Sequence, residues 1–177
     1  MNKSSFALIL AFLVLCGAGA YWYQSSRNSD ADILSFEDCA KKYPVQESYP
    51  ARCTTDSGKT FSQNIGNELE KVDLITIDSP RPTATVTSPL TVSGKARGYW
   101  YFEASFPVEL KDAGGNTLVI TPAQAQSDWM TEDFVPYAVT LTFPPQPAGS
   151  TGTLILRRDN PSGLPENDDQ LIVPVMF

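Results

Sequence analysis

Three aromatic side chains in the second half of the sequence have the character of a binding platform. Trp100 and Tyr101 are consecutive, and Trp129 follows within the same region. Flat rings of this kind stack on sugar rings or on peptides when they are exposed, and they dominate protein cores when they are buried. Strand alternation predicts that Phe102 points inward and Tyr101 outward. The three side chains are therefore candidate binding residues, with a core-filling role for both tryptophans as the alternative.

A carboxylate directly follows these aromatics. Glu103 is predicted on the outward face, where it could accept backbone N–H bonds from a loop or contact a ligand. It could also pair with Arg97 or Arg157 across strands. We count Glu103 as a candidate binding residue, with a structural role as the alternative.

Oxygen-bearing side chains are concentrated in one stretch near the C-terminus, which contains Asp159, Asn160, Glu166 and Asp168. Calcium prefers oxygen ligands, so Asp159, Glu166 and Asp168 form a candidate calcium site, although their spacing does not match an EF-hand. The alternatives are a solvated, proline-marked connection between two strands and a rigid binding edge. Asp159, Asn160 and Glu166 are accordingly candidate binding residues.

The composition argues against catalysis. The sequence has no histidine, which excludes Ser-His-Asp and Cys-His nucleophiles and histidine zinc sites. Adjacent carboxylates such as Glu132 and Asp133 point to opposite faces of a strand, so they do not converge on one substrate. With 13 basic and 20 acidic residues and no basic patch, nucleic-acid binding is not expected. We predict no enzyme, no catalytic residue and no cofactor.

The N-terminal segment is predicted to engage the membrane. Residues 6–23 form an uncharged apolar stretch after Lys3, with an aromatic cluster at its far end. The simplest interpretation is an uncleaved single-pass anchor with the C-terminal region outside the cytoplasm. A cleaved secretory signal and lipidation at Cys16 remain alternatives, which correspond to a secreted or a lipid-anchored protein.

Two cysteines that follow this segment support an oxidising compartment. Cys39 and Cys53 close a short loop and are predicted to form a disulfide, worth about 3 kcal/mol in the chain-entropy model. Around them the sequence predicts a short helix capped by Ser35 and a turn before an extended segment. So small a module cannot bury a large core alone.

From residue 72 the sequence changes to short alternating runs separated by turn residues, which predicts an all-β fold. Residues 102–110 alternate apolar and polar side chains as a half-buried strand does. Further strands are expected at 72–77, 84–87, 90–96, 117–121, 139–143, 153–157 and 170–176. Seven to eight such strands indicate an immunoglobulin-like antiparallel β-sandwich. The predicted organisation is an anchor or signal at 1–24, a linker at 25–33, a disulfide module with its join at 34–71, and the sandwich at 72–177.

Several motifs of this domain resemble a known family. They are ITIDSP at 75–80, VTSPLTVSGKA at 86–96, WYFEASFPV at 100–108, DAGG at 112–115, WMTEDFVP at 129–136, DNPSGLPE at 159–166 and IVPV at 172–175. In this order they resemble the immunoglobulin-like domain of bacterial spore germination, over about residues 75–177. The resemblance implies an extracytoplasmic bacterial adhesion or scaffolding module, and it brings no catalytic residue with it.

Together these observations predict a non-catalytic module of the bacterial cell envelope, tethered to the cytoplasmic membrane through residues 6–23. It would bind an envelope protein through exposed loops or through a sheet edge that accepts a partner strand. The alternative is a module that binds the cell wall or another glycan through exposed aromatic side chains.

Overall fold

The computed structural model describes residues 30–177, which divide into two compact units after Gln63. The predicted membrane segment at 6–23 and Cys16 lie outside the described residues. Among residues 30–177, no helix has the length and apolar character needed to cross a membrane.

The smaller unit is a three-stranded antiparallel sheet linked to a short helix by a disulfide. Its elements are α1 (Phe36–Ala40), β1 (Val45–Gln46), β2 (Arg52–Thr54) and β3 (Thr60–Ser62), with sheet order β1-β2-β3. Ser35 caps the helix, because its hydroxyl accepts the Asp38 N–H at 3.1 Å. The predicted bond between Cys39 and Cys53 is confirmed. Ile33 packs with both cysteines, so the disulfide lies in the core of this unit.

A hydrogen-bonded carboxylate stabilises the smaller unit at its first described residue. The Ser57 N–H donates to Asp30 at 3.2 Å, and the Tyr43 hydroxyl donates to it at 2.5 Å. Hydrogen bonds from Ser57 and then Tyr43 lower the pKa of Asp30 to about 2. Asp30 is therefore ionised at neutral pH, and it connects the start of this unit to the turn before β3.

The larger unit is all-β with one short helix, and its seven strands agree with the predicted number. The elements are α2 (Glu68–Lys71), β4 (Ile75–Ser79), β5 (Leu90–Arg97), β6 (Ser105–Lys111), β7 (Thr117–Ala125), β8 (Phe134–Leu141), β9 (Thr151–Arg157) and β10 (Gln170–Met176). All neighbouring strands are antiparallel, in the order β10-β9-β6-β7-β8-β5-β4.

The sheet folds over into a nearly closed sandwich. Strands β7 and β8 pair only at Gln124 and Ala125 of β7, where one layer (β4, β5, β8) continues into the other (β7, β6, β9, β10). The strand expected at 84–87 is absent; Thr85 instead makes one parallel bridge to Met176 of β10. This bridge brings the chain after β4 to the far edge of the sheet.

The alternation predicted for the central strand is confirmed from Phe106 onward. Phe106, Val108 and Leu110 of β6 are fully buried. Phe106 contacts the rings of Tyr101 and Tyr137 edge to face, with centroids 5.1 and 5.0 Å apart. The core of this unit therefore forms by packing alone, since it contains no cysteine.

Because the strands alternate in direction, the connections lie at two opposite ends of the sandwich. One end, which we call the loop end, consists of residues 98–104, 126–133 and 158–169. The opposite end consists of residues 80–89, 112–116 and 142–150.

Candidate functional site

All seven candidate binding residues predicted from the sequence lie at the loop end. Its first loop holds Trp100, Tyr101 and Glu103, its second holds Trp129, and its third holds Asp159, Asn160 and Glu166. Residues predicted for two different ligand chemistries thus share one end of the fold.

The aromatic side chains of the first loop are not oriented as strand alternation predicts. Trp100 is fully buried and Tyr101 is 4% exposed, whereas Phe102 is 42% exposed. The predicted outward Tyr101 and inward Phe102 are therefore wrong. The alternation fails because residues Gly98–Trp100 form a 3-10 helix, and because Glu103 and Ala104 have positive φ angles of 49° and 61°. Residues in this conformation turn the chain rather than extend a strand.

The first loop is hydrogen-bonded to both other loops. The Gly98 N–H donates to the Asp133 carbonyl at 3.1 Å, and the Asp159 N–H donates to the Trp100 carbonyl at 3.0 Å. The Arg158 side chain donates through Nε to the Tyr99 carbonyl at 3.2 Å. Its guanidinium also lies 5.9 Å from the centre of the Tyr99 ring. These bonds hold the three loops in a fixed mutual arrangement.

The third loop is ordered by side chains that bond within it. The Asn160 amide donates to the Leu164 carbonyl and to the Asp168 carboxylate, both at 2.8 Å. Ser162 donates to Asn160 at 2.5 Å and accepts from Asn167 at 3.0 Å. The side chain of Asn160 is thus an internal brace of this loop.

The carboxylates of the third loop are not arranged as a metal site. Asp168 accepts a hydrogen bond from Asn160, whereas its neighbour Asp169 forms an ion pair with Lys71 at 2.6 Å. Within residues 30–177 there is no group of three or more His, Cys, Asp or Glu side chains that could hold a metal ion. The candidate calcium ligands Asp159, Glu166 and Asp168 are therefore not brought together.

Large apolar side chains are exposed at the loop end. They are Tyr99 (46% exposed), Phe102 (42%), Met130 (77%) and Leu164 (51%). Elsewhere in residues 64–177 the exposed large apolar side chains are Leu69, Val72 and Ile120, none of which lies at the opposite end. Trp129 is half-buried and packs against the core. Tyr99, Met130 and Leu164 were not among the predicted binding residues, although their apolar character in short polar loops was an available signal.

The loop end is also strongly acidic. Its three loops contain one basic residue, Arg158, and eight acidic residues: Glu103, Asp128, Glu132, Asp133, Asp159, Glu166, Asp168 and Asp169. The loops at the opposite end contain only Arg81 and Asp112 as charged residues. One end of the sandwich thus combines exposed apolar side chains with a large excess of carboxylates.

A polar cleft of about 520 Å³ lies beside the third loop. Its lining comprises Asn67, Glu70, Lys71, Arg157, Arg158, Asp168, Asp169 and Gln170. Lys71 is paired with Asp169, and Arg157 donates to Gln170 at 2.8 Å. Most of the polar groups in this cleft are therefore occupied by neighbours in the same cleft.

Arg157 also pairs with Glu109 at 2.7 Å, rather than with the predicted Glu103. Burial raises the pKa of Glu109, but hydrogen bonds from Thr117 and Arg157 and the charges of Lys111 and Arg157 lower it further than burial raises it. The carboxylate is thus ionised and bound in place, as expected for a structural ion pair. The ion pair between Glu109 and Arg157 was not predictable from the sequence, because the polar face of a strand is usually solvated.

The sequence model for the immunoglobulin-like domain of bacterial spore germination matches residues 74–163. The chain belongs to this family. The match includes two of the three loops of the loop end and the beginning of the third, and the family assignment indicates a non-catalytic module. No curated protein and no solved structure matches the chain.

Proposed function

We propose that this protein is a non-catalytic recognition module of the bacterial cell envelope that binds a protein partner through its loop end. The observation that carries the proposal is the exposure of Tyr99, Phe102, Met130 and Leu164 on three hydrogen-bonded loops. Exposed aromatic and methionine side chains are enriched in protein interfaces.

The fixed arrangement of the loops favours binding. A partner that docks on preorganised loops does not have to order them, so less of the interaction energy is lost to conformational entropy. The bonds from Gly98 to Asp133 and from Asp159 to Trp100 join all three loops into one surface. Loops held by a rigid scaffold are a common location for binding residues.

The free edge of β7 is less suitable for binding than the loop end. Strand β7 pairs with β8 only at Gln124 and Ala125, so Thr117–Pro122 forms an edge on which Ile120 is 59% exposed. Pro122 has no backbone N–H to offer an added strand, and prolines are typical of edges that resist such pairing. We therefore place the partner at the loop end.

The proposed location is outside the cytoplasmic membrane, with residues 6–23 as a single-pass anchor. The apolar character of that segment and the disulfide between Cys39 and Cys53 support it, because disulfides persist in oxidising compartments.

Glycan binding through the predicted platform has less support. Trp100 and Tyr101 are buried, and Trp129 packs against the core, so these rings are not displayed together. Sugar stacking requires an exposed ring face.

Site-specific photo-crosslinking in bacterial cells tests the proposal. A photoreactive phenylalanine analogue replaces Phe102 in one variant of the full chain and Pro145, in an exposed loop at the opposite end, in another. We expect discrete protein adducts from position 102 and none from position 145. Adducts only from position 145, or none from 102, would contradict binding at the loop end. Adducts that contain glycan instead of protein would favour wall binding.

A further inference from the structure

We propose that the partner surface is basic: a protein segment in which lysine or arginine side chains flank apolar residues. This inference rests on the proposed function, because it names the chemistry of the partner bound at the loop end. It follows from the way in which carboxylates and apolar side chains are combined there.

The charge of the loop end has a clear sign. Its three loops contain eight carboxylates and one guanidinium. The whole chain is also acidic, with a net charge of −7. A surface with this excess attracts a basic partner during diffusion and repels an acidic one. The opposite end, with one arginine and one aspartate, has no such preference.

Some of these carboxylates already have structural partners. Asp128 accepts the Met130 N–H at 3.0 Å, Asp168 accepts from Asn160, and Asp169 pairs with Lys71. These three help to shape the loops, and their negative charge adds to the field around the surface.

Other carboxylates are exposed and available. The side chains of Glu103, Glu132 and Glu166 are exposed, and they make no hydrogen bond or ion pair with any residue between 30 and 177. They belong to the first, second and third loop respectively. A carboxylate from each loop is therefore free to bind a cationic side chain of a partner.

The exposed apolar side chains of the loop end indicate which residues of the partner lie between its cationic side chains. Phe102 is adjacent to Glu103, and Met130 is two residues from Glu132. Leu164 is two residues from Glu166. In each loop an exposed apolar side chain thus accompanies an unpaired carboxylate, which matches a partner with apolar anchors and a basic rim.

Peptide binding to the full chain, purified in a neutral detergent, tests this inference. The probe is an array of random 12-residue peptides, followed by titration of the strongest binder labelled with a fluorophore. We expect the binders to be enriched in lysine and arginine, and the affinity of the strongest to fall as salt rises. An array without binders, or binders without basic enrichment, would overturn the inference.

Two variants with the same change in net charge distinguish peptide binding at the loop end from general electrostatic attraction of the peptide to the acidic chain. The first combines Glu103→Gln, Glu132→Gln and Glu166→Gln; the second combines Glu37→Gln, Glu47→Gln and Asp56→Asn, all exposed in the smaller unit. We expect the first to weaken peptide binding about tenfold and the second less than about twofold. Equal weakening by both variants would overturn the inference.

The two proposals can fail separately. Protein adducts at position 102 together with no preference for basic peptides would leave the recognition function in place and reject the basic partner. Absence of adducts at 102 would reject the recognition surface itself, whatever the peptide array shows.

Discussion

Gly98 determines how the first and second loops of the loop end fit together. A Cβ atom at this position would lie 1.9 Å from the Thr131 carbonyl oxygen and 2.3 Å from that of Trp129. Both are backbone atoms, so they cannot rotate away as a side chain could. Only glycine permits the Gly98 N–H to bond to Asp133 at this distance.

We therefore expect Gly98→Ala to destabilise the larger unit by about 1–3 kcal/mol, as overpacking typically does. Urea unfolding followed by tryptophan fluorescence measures the loss. The matched control is Gly114→Ala, where the nearest atoms belong to the side chains of Asn116 and Asp112. Equal stability of the two variants would show that the second loop can move without cost.

The orientations of Tyr101 and Phe102 could not be predicted from the sequence. Alternation holds only along an extended strand, and two left-handed residues, Glu103 and Ala104, separate Phe102 from β6. Neither is glycine or asparagine, the residue types that usually signal this conformation. The burial of Tyr101 also depends on its hydroxyl, which donates to the Val135 carbonyl at 2.7 Å across the sandwich.

At the scale of elements, Glu109 connects three strands. It extends from β6, accepts from Thr117 of β7 at 2.5 Å and pairs with Arg157 of β9 at 2.7 Å. We expect Glu109→Gln to lower the free energy of unfolding by about 1.5–3 kcal/mol at pH 7, the range for hydrogen bonds to charged groups. Urea unfolding measures it, with exposed Glu132→Gln as the control.

The same carboxylate predicts a pH dependence. The native-state pKa of Glu109 lies below its ordinary 4.5, so its contribution is complete above pH 4.5 and is lost as pH falls through the lowered native pKa. The difference in unfolding free energy between the wild-type protein and Glu109→Gln should therefore shrink on acidification. A difference that stays constant down to pH 2 would show that the charge of Glu109 contributes nothing.

Asn67 protects the edge of the last strand. Its side chain accepts the Ile172 N–H at 2.7 Å and donates to the Gln170 carbonyl at 3.0 Å, as a neighbouring strand would. We expect Asn67→Ala to accelerate hydrogen exchange at the Ile172 amide and to cost about 1–2 kcal/mol of stability. Asn116→Ala, in a turn at the opposite end, is the control and should leave Ile172 unchanged. Unaltered exchange in Asn67→Ala would assign the protection to other contacts.

The strands were predictable for a physical reason that does not extend to the loops. A strand that faces a core on one side must alternate, as the runs at 90–96 and 106–110 do, and the apolar runs at 153–157 and 170–176 have the length of buried strands. The edge at Asn67 and the ion pair at Glu109 depend on residues far apart in sequence, 105 residues from Asn67 to Ile172. A period of two carries no information on such pairings. Residues 84–87 alternate as a strand does, but only Thr85 forms a bridge to β10, so the alternation predicted a strand that is absent.

At the scale of the whole molecule, the two ends of the larger unit differ in charge and in exposed apolar surface. One end combines exposed apolar side chains with eight carboxylates, and the other is rich in proline, glycine and threonine with two opposite charges. The candidate residues were predictable as a set from the chemistry of their side chains. Their common location was not, because it requires the direction of every strand.

The division into two units predicts that they respond differently to reduction. All three cysteines precede Asn64, and the disulfide lies in the core of the smaller unit, whereas residues 64–177 pack without one. Replacing Cys39 and Cys53 by serine should remove about 3 kcal/mol from the smaller unit. Peptide-resolved hydrogen exchange should then rise throughout 30–63 and stay unchanged in 64–177. A parallel rise in 64–177 would show that the units unfold cooperatively, and no rise in 30–63 would show that the short sheet holds without its disulfide.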